Sequence, residues 1–235
     1  MSVVGLHLIP VPIAGGNLNS LSESSLEAAR SLRHFVVERA KTARAYLKLI
    51  EHPTPINLIE IFEIPPKDES LFYQDMLNLL KNGTPLGMVS EAGMPCIADP
   101  GFLLVSKAHQ NGIPVFPYPG PNSILMALMA SGFNGQEFHF HGYLPAKKEE
   151  LRHKLIWILN EIRKSHATHI FMETPYRNKQ ILELILTHIP SDMKLCIASN
   201  LTGPDQVIES RLIKKWNLQD LVKYYDSPSI YLLSK

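Results

Sequence analysis

Short apolar runs alternate with amphipathic segments along the first half of the chain. Such runs predict buried strands, and apolar residues spaced three and four apart predict helices. The predicted strands cover residues 3–11, 35–37, 56–64, 85–89 and 113–118. The predicted helices cover residues 22–33, 42–51, 71–81 and 124–131. This succession predicts an α/β fold with a largely parallel sheet.

The pattern changes in the second half, which has fewer helices and more strands. Residues 138–144 alternate apolar and polar positions, as a half-buried strand does. Further strands are predicted at residues 168–172, 194–198, 206–211 and 229–233, and helices at 149–164, 179–188 and 214–222. We therefore predict two domains, residues 1–135 with a mainly parallel sheet and residues 136–235 with a mixed sheet.

Two loops rich in proline and glycine each follow a predicted strand and precede a helix. The first reads SEAGMPCIADPG over residues 90–101, and the second reads PGPNS over residues 119–123. In the first loop, Asp99 is predicted to cap the next helix, with Pro100 in its first turn. Open α/β sheets bind ligands at this edge, and helix N-termini favour carboxylates and phosphates. The loops predict a site for a small, partly anionic ligand.

Composition sets limits on the class of protein. The chain has 235 residues and a net charge of +1, so no global excess of positive charge indicates nucleic acid, although a local basic face is compatible with it. Cys96 and Cys196 have no metal-ligand spacing around them and are expected to be reduced thiols. The N-terminus lacks the basic start of a signal peptide, and no apolar run approaches the roughly 18 residues of a membrane span. We expect a cytoplasmic protein without a membrane segment.

Several polar residues could carry chemistry, and each also has a structural explanation. Glu38 ends an apolar strand, where a carboxylate is unfavourable without a partner; an ion pair with Arg39 or Lys41 would explain it equally well. Glu173 and Arg177 lie at the end of another apolar strand, where they could contact a ligand or pair with each other.

A metal site is not predicted. His139 and His141 share one face of a predicted strand, a spacing that suits a metal ion. No third ligand lies near them in the sequence. Solvated or hydrogen-bonded imidazoles are therefore the preferred interpretation.

The order of these motifs resembles the tetrapyrrole methylase superfamily. The resemblance rests on Ala92-Gly93-x-Pro95, Asp99-Pro100-Gly101, Pro119-Gly120-Pro121-x-Ser123, Gly142-Tyr143-Leu144-Pro145-Ala146-Lys147 and Glu173-Thr174-Pro175-Tyr176-Arg177. It extends over nearly the whole chain and looks most like the branch that 2′-O-methylates a cytidine of small-subunit ribosomal RNA. It implies two α/β domains, a homodimer, and S-adenosylmethionine in the cleft between the domains.

The resemblance also implies which residues bind this cofactor. They are Ser90, Glu91, Ala92, Gly93, Met94, Pro95, Pro119, Gly120, Pro121 and Ser123. The chemistry of the cofactor agrees, because its carboxylate suits helix N–H groups and its sulfonium needs carbonyl or carboxylate oxygens. Glu38 and Glu91 are available for the sulfonium.

Three segments depart from the ribosomal branch. Residues 91–95 read Glu-Ala-Gly-Met-Pro where the branch usually has Asp-Ala-Gly-Thr-Pro. Residues 38–41 read Glu-Arg-Ala-Lys where the branch usually has Glu-Asp-Thr-Arg, so only the first glutamate is kept. Residues 199–203 read Ser-Asn-Leu-Thr-Gly where the branch usually has Arg-Glu-Leu-Thr-Lys, so every charge is lost. The cofactor loops are intact, whereas charges expected on the acceptor side are missing.

The sequence therefore predicts an S-adenosylmethionine-dependent methyltransferase acting on ribosomal RNA or a related polar acceptor. Glu38, Glu91 and Glu173 are the candidate bases for a hydroxyl acceptor, and Arg177 is a candidate clamp for phosphate or carboxylate. Two alternatives stay open: a small-molecule methylase of the tetrapyrrole type, and a cofactor-binding protein that has lost catalysis.

RNA, if it is the acceptor, is expected to contact local basic groups. One cluster follows the Gly-Tyr-Leu-Pro segment and a second lies in the first domain. The members are Lys147, Lys148, Arg152 and Lys154 in one, and Arg39, Lys41 and Arg44 in the other. A solvated helix face that also carries Glu149 and Glu150 is the alternative explanation of the first cluster.

Overall fold

The computed structural model describes residues 3–67 and 70–235, which form two compact units, 1–122 and 123–235. The strands of the first unit are β1 (Leu6–Ile9), β2 (His34–Val37), β3 (Glu60–Glu63), β4 (Leu86–Val89) and β5 (Val115–Pro117). Its helices are α1 (Glu23–Ser31), α2 (Ala40–Leu49), α3 (Ser70–Lys81) and α4 (Phe102–Gln110). Short 3₁₀ turns lie at Leu18–Ser20 and Ile56–Leu58.

All strand pairs of the first sheet are parallel, in the order β3-β2-β4-β1-β5. Along β2, Phe35 and Val37 pack with α1 and α2, whereas Val36 packs with α3 and α4 on the opposite face. Because β1 and β4 are neighbours whose following helices lie on opposite faces, a crevice opens at their carboxyl ends. The predicted parallel sheet is confirmed.

The second unit is built on a mixed sheet, which is also confirmed. Its strands are β6 (Phe138–Tyr143), β7 (Thr168–Glu173), β8 (Lys194–Ser199), β9 (Val207–Leu212) and β10 (Ser229–Ser234), in the order β6-β7-β10-β8-β9. Only the β6–β7 pair among these is parallel. The helices are α5 (Ser123–Ser131), α6 (Lys148–Lys164), α7 (Pro175–His188) and α8 (Leu218–Leu221). The helices α6, α7 and α8 cover one face of this sheet.

Helix α5 belongs to the second unit. Its residues Ile124, Ala127 and Leu128 pack on Ile170 and Leu232 of the second sheet, on the face opposite α6 and α7. The sequence-based boundary at residue 135 therefore falls at the other end of α5 from the boundary between the compact units. The packing of α5 on the second sheet places the helix in the second unit, and the sequence of α5 does not show that packing.

Several predicted elements differ from the structure. Helix α4 begins at Phe102 and its N-cap residue is Gly101, with a φ of +115°. Asp99 therefore does not cap the helix, and Pro100 does not lie in its first turn. The helix predicted at 214–222 is broken into a 3₁₀ turn, the short α8 and a second 3₁₀ turn. Strand β6 does not alternate, since all its side chains are at least partly exposed at the edge of the sheet. No helix in the described part of the chain is long and apolar enough to cross a membrane.

Candidate functional site

Three loops meet at the carboxyl edge of the first sheet, after β4, β1 and β5, which are adjacent. Val11 and Gly93 exchange two backbone hydrogen bonds of 2.9 and 3.2 Å, which join the loops after β1 and β4. Gly93 has a φ of +77°, a left-handed conformation that glycine adopts without strain. A Cβ at Gly93 would lie 3.0 Å from the carbonyl oxygen of Pro121. The three loops are thus held together through close backbone contacts.

Packing explains why residue 120 is glycine. A Cβ on Gly120 would lie 2.3 Å from the ring of Pro10, in the loop after β1. The carbonyl of Pro119 accepts a hydrogen bond of 2.6 Å from Ser25 Oγ on α1. The hydroxyl of Tyr46 on α2 donates to the carbonyl of Pro10 across 3.5 Å. The loop after β5 is therefore anchored within the first unit by neighbouring loops and helices.

The residues predicted to bind the cofactor lie in two loops and at the start of one helix. The loops of the first unit hold Ser90, Glu91, Ala92, Gly93, Met94, Pro95, Pro119, Gly120 and Pro121, whereas Ser123 is the first residue of α5 in the second unit. Ser90 is buried and donates to the carbonyl of Gly93 across 2.9 Å. This bond holds the turn that follows β4.

A pocket of about 420 Å³ opens beside these loops. Its walls are the loop after β1, including Gly15, the inner side of α2, and the end of β4 with Ser90 and Glu91. Thr42 on α2 donates a hydrogen bond of 3.0 Å to Glu91 and so joins two of these walls. The volume is within the range of about 300–1,000 Å³ that is usual for small-molecule sites.

Three carboxylates interact electrostatically at this edge of the sheet: Glu38 after β2, Glu91 after β4, and Asp99 before α4. Burial, and then the charge of Glu91, raise the pKa of Glu38, whose Oε1 is buried without a hydrogen-bond partner among the described residues. Burial, and then the charges of Glu38 and Glu91, raise the pKa of Asp99 to about 7. This arrangement concentrates negative charge and favours a cationic ligand group.

The sequence predicts a different role for Asp99, that of a helix cap, because Asp is a favourable N-cap residue and Pro suits the first turn of a helix. The segment instead passes through left-handed conformations at Cys96 and Ala98, with φ of 66° and 63°. Few non-glycine residues adopt such angles, and no sequence signal predicted them here. Their turns bring Asp99 within electrostatic reach of the two glutamates.

Glu173 and Arg177 are paired inside the second unit. Glu173 is buried at the end of β7, and its Oε1 lies 3.0 Å from Arg177 Nη2. The same Nη2 donates to the carbonyls of Leu144 and Pro145 across 3.1 and 2.7 Å. Burial raises the pKa of Glu173, against the lowering effect of Arg177. The pair fastens the chain after β6 to the end of β7 and the first turn of α7, which is the structural explanation that the sequence also allowed.

The two histidines of β6 lie beside a third, His169 on β7. His141 Nε2 and His169 Nδ1 are 2.9 Å apart, and the rings of His139 and His169 are 5.2 Å apart. Burial, more than the neighbouring charges, lowers the pKa of both His141 and His169 to about 4. Within residues 3–67 and 70–235, no three His, Cys, Asp or Glu side chains are arranged to hold a metal ion.

Comparison with known proteins gives consistent relatives. The chain is 33% identical over 205 residues to a protein of Vibrio cholerae named ribosomal RNA small subunit methyltransferase I, covering 87% of this chain and 67% of the relative. It is 29% identical over 222 residues to a protein of the same name from Buchnera aphidicola, covering 93% of this chain and 74% of the relative.

Solved structures agree on the fold. The methyltransferase CobJ matches 98% of this chain and 94% of its own with a TM-score of 0.62 at 17% identity. Cobalt precorrin-4 methyltransferase CbiF matches 97% of this chain and 94% of its own with a TM-score of 0.60 at 14% identity. The family model for tetrapyrrole (corrin/porphyrin) methylases matches residues 7–215. This chain therefore belongs to the tetrapyrrole methylase family and is an S-adenosylmethionine-dependent methyltransferase.

Proposed function

We propose that this protein methylates small-subunit ribosomal RNA at a ribose 2′-hydroxyl. The observation that carries the proposal is the extended similarity, at about a third identity, to proteins named for methylation of that RNA. The tetrapyrrole-type methyltransferases of known structure share 17% identity or less and support the fold alone. A ribosomal RNA acceptor is therefore preferred to a tetrapyrrole.

The loops of the first unit fit the methyl donor. S-adenosylmethionine carries a sulfonium cation, and when bound it would supply a methyl group to an oxygen nucleophile, with the neutral thioether as the leaving group. The buried Oε1 of Glu38 has no hydrogen-bond partner among the described residues and is a carboxylate oxygen suited to such a cation. The loops at residues 90–95 and 119–121 offer backbone groups for the polar parts of the donor. We propose that these loops and Glu38 hold it.

A hydroxyl acceptor must lose its proton as the new oxygen–carbon bond forms. We propose a carboxylate of the cluster formed by Glu38, Glu91 and Asp99 as the proton acceptor. Asp99 is the preferred base, since its pKa near 7 matches what general base catalysis requires at neutral pH. Glu173 is less suited to this role, because it is buried and paired with Arg177.

Two further parts of the proposal follow from the family and from the acceptor. We propose that the protein is a homodimer, as the family resemblance implies. We also propose that it acts in the cytoplasm, where bacterial-type ribosomal RNA is available. Sedimentation equilibrium would test the first, with a mass of one chain contradicting it.

The experiment that tests the function compares ribosomal RNA from cells with and without the protein. Mass spectrometry of nucleosides and RNA fragments is expected to show one 2′-O-methylated residue missing in the small subunit. Thermal unfolding with S-adenosylmethionine or its demethylated product tests donor binding separately. Ligand at about 100 times its Kd should add roughly 2.7 kcal/mol of stability. If the RNA is unchanged and the donor binds clearly, the protein is assigned as a small-molecule methylase. If the donor binds and no acceptor is methylated, the protein is assigned as a cofactor-binding protein that has lost catalysis.

A further inference from the structure

Helix α2 carries a line of unpaired positive charge. Lys41, Arg44 and Lys48, called here the α2 stripe, are exposed, and none makes an ion pair with an acidic residue in the described ranges 3–67 and 70–235. The helix contains no acidic residue. The carboxylate of Glu63 accepts a hydrogen bond from the N–H of Ala40, so the acid at the start of the helix is bound to backbone.

The stability of the helix does not explain the α2 stripe. Lys41 and Arg44 are three residues apart and Arg44 and Lys48 are four apart, spacings at which like charges repel by about 0.2–0.5 kcal/mol per pair. Lys41 also lies in the first turn, where the helix dipole disfavours a cation by about 0.3–1 kcal/mol. Lys48, in the last turn, is the one member that the dipole favours. The arrangement therefore indicates an external anionic partner.

The stripe borders the pocket. Ala45 is exposed, lines the pocket, and lies four residues from Lys41 and three from Lys48, so it is a surface neighbour of both on the helix. Thr42 and Leu49 of the same helix also line the pocket. An anionic chain that follows the roughly 10 Å from Lys41 to Lys48 therefore passes the pocket mouth.

The basic cluster at the start of α6 differs, because three of its four charges are paired or covered. Lys147 lies 3.2 Å from Glu150, and Arg152 lies 3.0 Å from Glu149. The ammonium of Lys154 lies 3.8 Å from the centre of the Trp157 ring. Of the two clusters that the sequence offered for RNA, the α6 cluster is the more nearly neutral.

We propose that the α2 stripe binds the phosphates of the acceptor RNA and guides one nucleoside to the mouth of the adjoining pocket, beside the donor loop that carries Ser90 and Glu91. This inference rests on the proposed function, since it names the part of the protein that receives the RNA. A single-stranded segment fits, because its nucleosides can leave the stack and reach the pocket mouth. Phosphate contacts position the strand, and contacts at the pocket mouth select the residue.

A salt series on matched variants tests the α2 stripe. The test variant is K41A/R44A/K48A. The control K194A/K214A/K215A removes three other exposed lysines, which make no ion pair with the described acidic residues, and so changes the net charge equally. Binding of a fluorescein-labelled single-stranded RNA oligonucleotide is measured by anisotropy across the series. Each phosphate contact contributes about 0.7 to the log–log slope, or about 5-fold in affinity at 0.1 M salt.

The expected result is a slope smaller by about 2 and an affinity about 100-fold lower for the α2 variant, with the control within about 3-fold of the wild type. Thermal unfolding confirms that both variants are folded. Equal losses in the two variants would show a general effect of charge and overturn the proposal. A log–log salt slope in the α2 variant equal to that of the wild type would also overturn the proposal. So would a wild-type protein that binds no RNA at low salt.

Methyl transfer to small ribosomal subunits from cells lacking the protein separates this inference from the proposed function. Transfer by the wild type and equal transfer by the α2 variant would reject the stripe and leave the function. RNA binding through the stripe without transfer by the wild type would reject the function and leave the stripe. The expected result is transfer by the wild type and the control and at least a 10-fold loss of kcat/KM in the α2 variant.

Discussion

The hydroxyl of Thr42 donates a hydrogen bond of 3.0 Å to Oε2 of Glu91. Thr42 is on α2, Glu91 is in the loop after β4, and both line the pocket. This bond therefore connects the helix that carries the basic stripe to the loop that carries two of the three acidic-cluster residues, Glu91 and Asp99.

Replacing Thr42 by valine tests this connection. The shape of the side chain is kept and the hydrogen bond is lost, which is expected to lower the affinity for the demethylated donor about 3- to 10-fold, since such a bond contributes about 1 kcal/mol. Thr42→Ser keeps the hydroxyl and should bind like the wild type in isothermal titration calorimetry. Equal affinities of the valine and serine variants would show that the bond does not organise the site.

Glu38 is expected to distinguish the donor from its product. S-adenosylmethionine is cationic at sulfur and the product is a neutral thioether, so Glu38→Gln should weaken binding of the donor more than binding of the product. A difference of about 1 kcal/mol, or roughly 5-fold in the ratio of the two Kd values, is expected for a partly exposed pair. The same loss for both ligands would place the sulfonium away from Glu38.

The acidic cluster predicts how stability depends on pH. The pKa of Asp99 is raised to about 7 in the folded protein, whereas an aspartate in the unfolded chain has its usual pKa near 4. The carboxyl is therefore protonated in both states only below about pH 3, and as the pH rises it ionises first in the unfolded chain. Folded wild type should therefore lose stability between about pH 4 and pH 7. Asp99→Asn should match the wild type near pH 3 and exceed it at pH 8 by about 1–2 kcal/mol in urea unfolding, a figure reduced for the partial exposure of the side chain. A difference in stability that stays constant at all pH values would contradict the raised pKa of Asp99. In a separate assay, methyl transfer by the folded variant should fall sharply.

Gly120 should be sensitive to a single methyl group. Gly120→Ala would place its Cβ 2.3 Å from Pro10, so the two loops must separate, and a loss of about 2–3 kcal/mol of stability is expected. Gly135→Ala is the matched control, because nothing lies within 4 Å of a Cβ there. The affinity for the donor should decrease only to the extent that the substitution displaces the loops. Two variants of equal stability would show that the loops are not packed as described.

The parallel sheet could be predicted because buried strands of this kind are continuous apolar runs, such as Leu86–Val89. The loops after β4 and β5 could be placed at one edge of the sheet because parallel strands align their carboxyl ends. The prediction starts α7 at residue 179, whereas the helix begins at Pro175. Proline is favourable in the first turn of a helix, and the Glu-Thr-Pro-Tyr-Arg motif supplies the residues of that turn.

The acidic cluster and the charge state of the basic groups could be predicted only in part. The sequence indicates Glu38 as a candidate functional residue because a carboxylate after a buried strand needs a partner. It does not indicate Asp99, because the position of Asp99 depends on left-handed residues that local preferences disfavour. The pairing of Arg152 with Glu149 could have been found from their spacing of three residues on a helix. The absence of a partner for the α2 stripe depends on the arrangement of distant acidic residues in space, which no local pattern gives.

The packing of α5 determines where the chain can be cut. A fragment beginning at residue 136 would lack Ile124, Ala127 and Leu128, leaving Ile170 and Leu232 of the second sheet open to water. An exposed apolar surface of this kind promotes aggregation. A fragment beginning at Ser123 retains the helix and covers that face, so it is the better starting point for expressing the C-terminal half by itself.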